Sequence, residues 1–149
     1  MARPMILPPI WLLIGLIAIF ALNEFFPGPR FIGLAARVGG GAIILAGLVL
    51  LLLANGLFTR AGTDVVPFGN VTTLVTGGVY RVSRNPMYLG MVAVLLGCAV
   101  TVGSTLSLLV PLVFAVIIEL RFIRPEEAML RGLFPEEFPA YCRRVRRWV

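Results

Sequence analysis

Apolar residues fall into four runs along the chain, at 6–22, 39–58, 87–102 and 106–122. Within the second, Ile43 to Ala54 is nearly unbroken Leu, Ile, Val and Ala. Runs of about 17–20 residues cover about 25–30 Å as α-helix, enough to cross a bilayer core with little tilt. The third is marginal alone. It is separated from the fourth by Thr101, Gly103, Ser104 and Thr105, which predict a tight helical hairpin. The pattern predicts an all-α, polytopic membrane bundle of about four spans in one domain covering residues 1–149. No cleavage-site pattern precedes Asn23 and Glu24, so the first run is expected to be retained as a span.

Two segments do not follow this pattern. Residues 59–86 carry Gly62, Pro67, Gly69, Gly77, Gly78 and Pro86, yet also Val65, Val66, Phe68, Val71, Leu74, Val75, Val79 and Tyr80. That is too apolar for free disorder, so a folded connection packed on the membrane face is expected. In residues 123–149, Leu130, Leu133, Phe134, Phe138, Tyr141, Val145 and Trp148 recur at roughly helical spacing opposite arginines. They predict interfacial amphipathic helices beginning near Pro125.

Composition sharpens this picture. The chain is 59% hydrophobic with a mean hydropathy of +0.98, against about 45–50% apolar for a soluble domain. All 13 basic residues are arginine, and only Arg30 and Arg37 lie between the first two runs. With four spans, this places both termini in the cytoplasm by the positive-inside rule. Arg143, Arg144, Arg146 and Arg147 crowd the last residues, a patch suited to anionic membrane lipids rather than nucleic acid. Histidine is absent, which excludes Ser-His triads, a histidine base and His-ligated metal; Cys98 and Cys142 are isolated, and neither a disulfide nor a metal site is expected. Nothing in the sequence fixes the oligomeric state.

Candidate chemistry gathers in 72–88. Gly77-Gly78 allows a sharp turn, Asn85 is a suitable N-cap, and Pro86 suits the first turn of the third helix. The free N–H groups at that helix start, beside Arg81 and Arg84, would suit a carboxylate or phosphate, and Tyr80 and Tyr88 a planar or polar ligand. Each feature also has a plain structural use as turn, cap or topology determinant. Glu126 and Glu127 suit either helix-dipole compensation or recognition of a cationic or polyhydroxylated ligand. Glu119, near the end of the fourth run, is either a functional carboxylate or a partner for Arg121 or Arg84.

Thr73-Leu74-Val75-Thr76-Gly77-Gly78-Val79-Tyr80-Arg81, then Ser83-Arg84-Asn85-Pro86-Met87-Tyr88-Leu89-Gly90, resembles the core of the isoprenylcysteine carboxyl methyltransferase and phospholipid methyltransferase superfamily. Glu126-Glu127-Ala128-Met129-Leu130 through Phe134-Pro135-Glu136-Glu137-Phe138-Pro139-Ala140-Tyr141 resembles its second block, and Arg147-Trp148 its ending. The resemblance covers residues 72–148. It implies methyl transfer from S-adenosyl-L-methionine to a lipophilic acceptor, an isoprenylcysteine-like carboxylate or a lipid headgroup. It implies cofactor contacts at Thr72, Thr73, Leu74, Val75, Tyr80, Asn85, Pro86, Met87, Tyr88, Glu126 and Glu127. Arg121 or Arg124 corresponds loosely to an arginine near the substrate, expected to be catalytic. The chain departs from the pattern at Asn85, where the family has histidine, and at Pro135, where it has glycine. Two other readings compete. One is an NADPH-dependent membrane reductase of the steroid-reductase type, disfavoured by Met91-Val92-Ala93 after Gly90. The other is a non-enzymatic four-span scaffold, which leaves the two blocks unexplained.

Overall fold

The computed structural model describes residues 7–62, 69 and 71–149. Arg3, Ile6, Asp64, Val65, Val66 and Phe68 lie outside the described residues. Six helices follow in order: α1 (Pro8–Phe25), α2 (Leu34–Ala61), α3 (Pro86–Val102), α4 (Leu109–Ile118), α5 (Arg124–Leu133) and α6 (Glu137–Arg144). A 3₁₀ turn, Gly78–Arg81, precedes α3, and another, Leu106–Leu108, leads into α4.

Among the described residues three helical stretches are long and apolar enough to cross a membrane: Pro8–Phe25, Leu34–Ala61 and Leu106–Leu133. α3 is apolar but 17 residues long, about 25 Å. Compared with the sequence reading, α2 begins five residues earlier and ends three later. Leu34, Ala35 and Ala36 are good helix formers, and Gly62, at φ +63°, provides a left-handed C-cap.

α2 and α3 are held together by backbone proximity. A Cβ on Gly40 would meet the Gly97 carbonyl at 2.6 Å, and one on Gly97 would meet the Gly40 carbonyl at 2.6 Å. Gly47 and Gly90 oppose each other in the same way, at 2.8 and 2.9 Å. Gly40, Gly47 and Ala54 recur every seven residues and are the buried residues of α2. Lipid tails are as apolar as leucine, so close van der Waals packing of small residues is what drives such pairing in a bilayer. α1 packs on the other flank of α3, where Gly15 faces Leu95. The core lies between α1, α3 and α4, around Ile19, Leu95, Ala99, Phe114, Ile118 and Phe122.

At one end of the bundle the α1–α2 and α3–α4 connections pair. Phe31 N–H donates to the Gly103 carbonyl at 2.9 Å, Thr105 N–H to Pro29 at 3.1 Å, and the Ser104 hydroxyl to Pro27 at 2.7 Å. Gly103, at φ +74°, ends α3 and turns the chain into the expected hairpin. The candidate residues lie at the opposite end.

α5 begins at Arg124, beside the expected Pro125, but not as a free helix start. α4 runs without a break into α5 through a π-helical turn, Glu119–Ile123, in which Arg124 N–H bonds back to the Glu119 carbonyl. Proline lacks an N–H and clashes with the carbonyl four residues back in an α-helix. The widened turn ahead of Pro125 relieves both problems. Glu126 and Glu127 therefore sit inside a continuous helix rather than at a free N-terminus. The apolar part of that helix ends at Ile123, and α5 beyond it is polar on one face. Phe134–Glu136 then separates α5 from α6.

Candidate functional site

A cavity of about 270 Å³ opens at this end of the bundle. The segment before α3 contributes Val71, Thr73, Leu74, Val75 and Tyr80; the start of α3 contributes Arg84, Asn85, Met87, Tyr88 and Met91. α5 adds Glu126, Glu127, Met129 and Leu130, and α6 adds Phe138 and Tyr141. Leu7, Pro8 and Pro9 from the start of α1 and Phe58 from the end of α2 complete its rim. The two sequence blocks thus meet across one concavity.

Of the residues singled out from the sequence, Thr73, Leu74, Val75, Tyr80, Asn85, Met87, Tyr88, Glu126 and Glu127 line it. Thr72 is exposed and Pro86 is buried beneath α3's first turn; neither lines the cavity. Arg121 and Arg124 do not line it either. Both are exposed, while Phe122 and Ile123 between them face the core. The Arg124 guanidinium lies 2.9 Å from Glu119.

Glu126 and Glu127 are adjacent but differently employed, because neighbours on a helix point about 100° apart. Glu126 accepts a hydrogen bond from the Tyr88 hydroxyl at 3.0 Å, and among the described residues no arginine pairs with it. Burial pushes its carboxyl up to about 7, against the smaller lowering effect of the Tyr88 hydrogen bond. Glu127 is 6% exposed and faces two arginines: Arg84 at 2.9 Å and Arg147 at 2.8 Å. Arg147 also reaches Glu119 at 3.1 Å, and the Trp148 indole N–H donates to Glu119 at 3.1 Å. Glu119 is thus paired with Arg124 and Arg147, not with Arg121 or Arg84. The hydrogen bond to Glu127 holds the Arg147 guanidinium further above its ordinary range.

The same tail docks by its backbone. Arg84 N–H donates to the Arg146 carbonyl at 3.0 Å, and the Asn85 side-chain amide to the Arg147 carbonyl at 3.0 Å. Asn85 occupies the N-cap position of α3 expected from the sequence, but its side chain makes no cap hydrogen bond. Its amide ties down the C-terminal segment instead. Ser83, buried, takes the Asn85 backbone N–H at 3.1 Å. Together these contacts clasp residues 146–148 over the starts of α3 and α5. Arg147 is drawn inward, while Arg143, Arg144 and Arg146 stay exposed.

The cavity's walls are set by aromatics. Tyr80 meets Phe58 edge-on at 5.4 Å, and Tyr88 lies 6.4 Å from Phe122. The buried Tyr141 hydroxyl donates to the Tyr80 carbonyl at 2.6 Å, and burial pushes the Tyr80 and Tyr141 phenols well above their ordinary range. Both hydroxyls stay protonated at any ordinary pH. Among the described residues Arg84 is the arginine that lines the cavity, and its Nε is buried with no partner. Sequence reading assigned it to anion binding in general; its pairing with Glu127 is long-range and has no local signal.

A family model described as phospholipid methyltransferase matches residues 35–137. An uncharacterized protein of Haemophilus influenzae is 33% identical over 63 residues, which is 42% of this chain and all of that protein. The matched span of the family model holds α2 to α5 and so most of the cavity, and the chain belongs to the phospholipid methyltransferase family, within the integral membrane methyltransferases.

Proposed function

We propose that the cavity binds S-adenosyl-L-methionine and that the protein methylates a lipophilic acceptor at the membrane face. The observation that carries this reading is Glu126: a carboxylate with no arginine partner among the described residues, beside an aromatic ring, in a mostly apolar cavity. Such a group favours a cationic, partly apolar ligand. Arg84 also lines the cavity, and its guanidinium, with Nε unpartnered, suits a ligand carboxylate. A zwitterion carrying an additional cation and a flat apolar ring satisfies both ends, with Leu74, Val75, Leu130 and Phe138 as its apolar slot. At about 270 Å³ the cavity lies near the lower end of small-molecule sites, roughly 300–1,000 Å³.

The cofactor supplies an electrophilic methyl group on a sulfonium. The protein's part is to orient, to exclude water and to hold charge, which needs no strong base. Asn85 does not titrate, and its amide is committed to the Arg147 carbonyl. This arrangement suits an acceptor that is already nucleophilic, such as a carboxylate or an uncharged headgroup amine. The acceptor approaches from the bilayer past the apolar rim of Leu7, Pro8, Pro9 and Phe58. With Arg30 and Arg37 at the far end and Arg60, Arg81, Arg84 and the tail arginines at this one, the cavity and both termini face the cytoplasm.

Calorimetry on detergent-solubilised protein tests the reading. S-adenosylhomocysteine is expected to bind, and NADPH is not. Binding of NADPH with no heat from S-adenosylhomocysteine would replace this reading with a reductase, and silence from both would leave a scaffold.

A further inference from the structure

A second concavity, about 370 Å³, lies beside the first and is walled from it by Tyr141. It is lined by Thr76, Gly77, Arg81, Tyr141, Arg144 and Val145. Arg81 ends the 3₁₀ turn before α3, and Arg144 ends α6, so two distant parts of the chain bring one guanidinium each. Among the described residues no carboxylate lines it. Arg84, Arg124 and Arg147 pair with glutamates, and Arg131 lies 5.8 Å from the Phe138 ring centre; Arg60, Arg121, Arg143 and Arg146 have no such partner among the described residues but do not line this hollow. Arg81 and Arg144 pair with no carboxylate among the described residues.

Two like charges converging on one hollow repel unless an anion sits between them. Guanidinium forks match the oxygens of a phosphate, and Thr76 adds a hydroxyl at the same wall. We propose that this hollow is a phosphate-binding site, which holds either the headgroup phosphate of an anionic lipid or a soluble phosphate. It is separate from the cavity proposed for methyl transfer and does not rest on that reading.

The test uses the full chain in neutral detergent, with bound lipid counted by native mass spectrometry. Dioleoylphosphatidylglycerol is compared with dioleoylglycerol, which has the same tails and no phosphate. Wild type is expected to retain the former and not the latter. R81Q/R144Q is expected to weaken phosphatidylglycerol binding about tenfold or more, the loss expected for one charge-assisted contact. R143Q/R146Q removes the same charge from positions that do not line the hollow and is expected to bind as wild type. Unchanged circular dichroism and tryptophan emission establish that each variant is folded. Millimolar inorganic phosphate then separates the sources. Displacement of the lipid means the hollow reads phosphate from any source, and no displacement means it needs the membrane-anchored headgroup; both support the site. Equal retention of the two lipids would overturn it. So would wild-type binding by R81Q/R144Q, or an equal loss in R143Q/R146Q.

Discussion

Glu127→Gln keeps the shape of the side chain and removes its charge. In the native protein that charge faces Arg84, whose side chain is 12% exposed, and Arg147, which is 33% exposed. The two arginines respond differently to its loss. Arg147 can turn to water or lean on Glu119, so its share of the cost is small. Arg84 is walled in by α3, α5 and the tail and is left as a buried charge facing only a neutral amide oxygen at position 127 and the Cys142 carbonyl, at 3.4 Å. Breaking a buried pair from one side costs about 3–5 kcal/mol, and the partial exposure of Arg147 lowers the expectation here to about 2–4 kcal/mol. Equilibrium unfolding in mixed micelles measures it. In a Trp11→Phe background Trp148 is the sole tryptophan, and its emission should shift red as the clasp loosens before global unfolding. Arg84→Met should cost less than Glu127→Gln, and the double variant should recover at least about 1 kcal/mol relative to the sum. A loss below about 0.5 kcal/mol, or strict additivity, would mean these groups behave as a surface pair and the clasp stabilises nothing.

Other outcomes follow from the same geometry. Glu126 holds its proton in the folded protein up to about 7, above the ordinary 4.5, so the carboxylate that attracts a cation is present only above that pH. S-adenosylmethionine affinity should therefore rise between about pH 6 and about pH 8, and isothermal titration of Glu126→Gln should show a weaker, flat profile. The raised value also means that folding stability falls as pH climbs from about 4.5 to about 7. Glu126→Gln should accordingly be more stable than wild type at pH 8, by at most about 3 kcal/mol in denaturant titration. Gly97→Leu should disrupt the α2–α3 contact and lose most folded protein on size-exclusion chromatography in detergent. Gly56→Ala, where a Cβ meets nothing within 4 Å, should leave stability unchanged or raise it by up to about 1 kcal/mol. Asn85→Ala should free the tail and increase its cleavage by added protease, with about 1 kcal/mol lost in unfolding.

The spans were legible because lipid imposes its demand residue by residue: a run such as Ile43 to Ala54 has no other stable use. The hairpin at Gly103 was legible for a similarly local reason, a left-handed position between two apolar runs. The two blocks around the cavity were read from motif resemblance. What could not be read was the wiring between them. Glu126 and Glu127 look alike in sequence, and only their facing residues, Tyr88 for one and Arg84 with Arg147 for the other, separate a carboxylate free for a ligand from one already committed. Asn85 looked like a cap because caps are local; its partner, the Arg147 carbonyl, is 62 residues away. Pro125 looked like a helix start because the usual rule for proline takes no account of a widened turn ahead of it.

That widened turn sets the angular phase of everything after it. Each α-helical residue advances about 100° around the axis, and a π turn holds one residue more than the α-helical turn it replaces. α5 is therefore rotated by about one residue's step relative to a straight continuation of α4. Rewinding Glu119–Ile123 as a regular α turn without changing its residue count would swing Glu126 by about 100° away from Tyr88 and bring a different residue to face Arg84, whereas deleting one residue from the turn would restore the α ladder and leave Glu126 on the same face. The alignment of the two halves of the cavity thus depends on how one turn is wound, as the alignment of two gears depends on a single tooth.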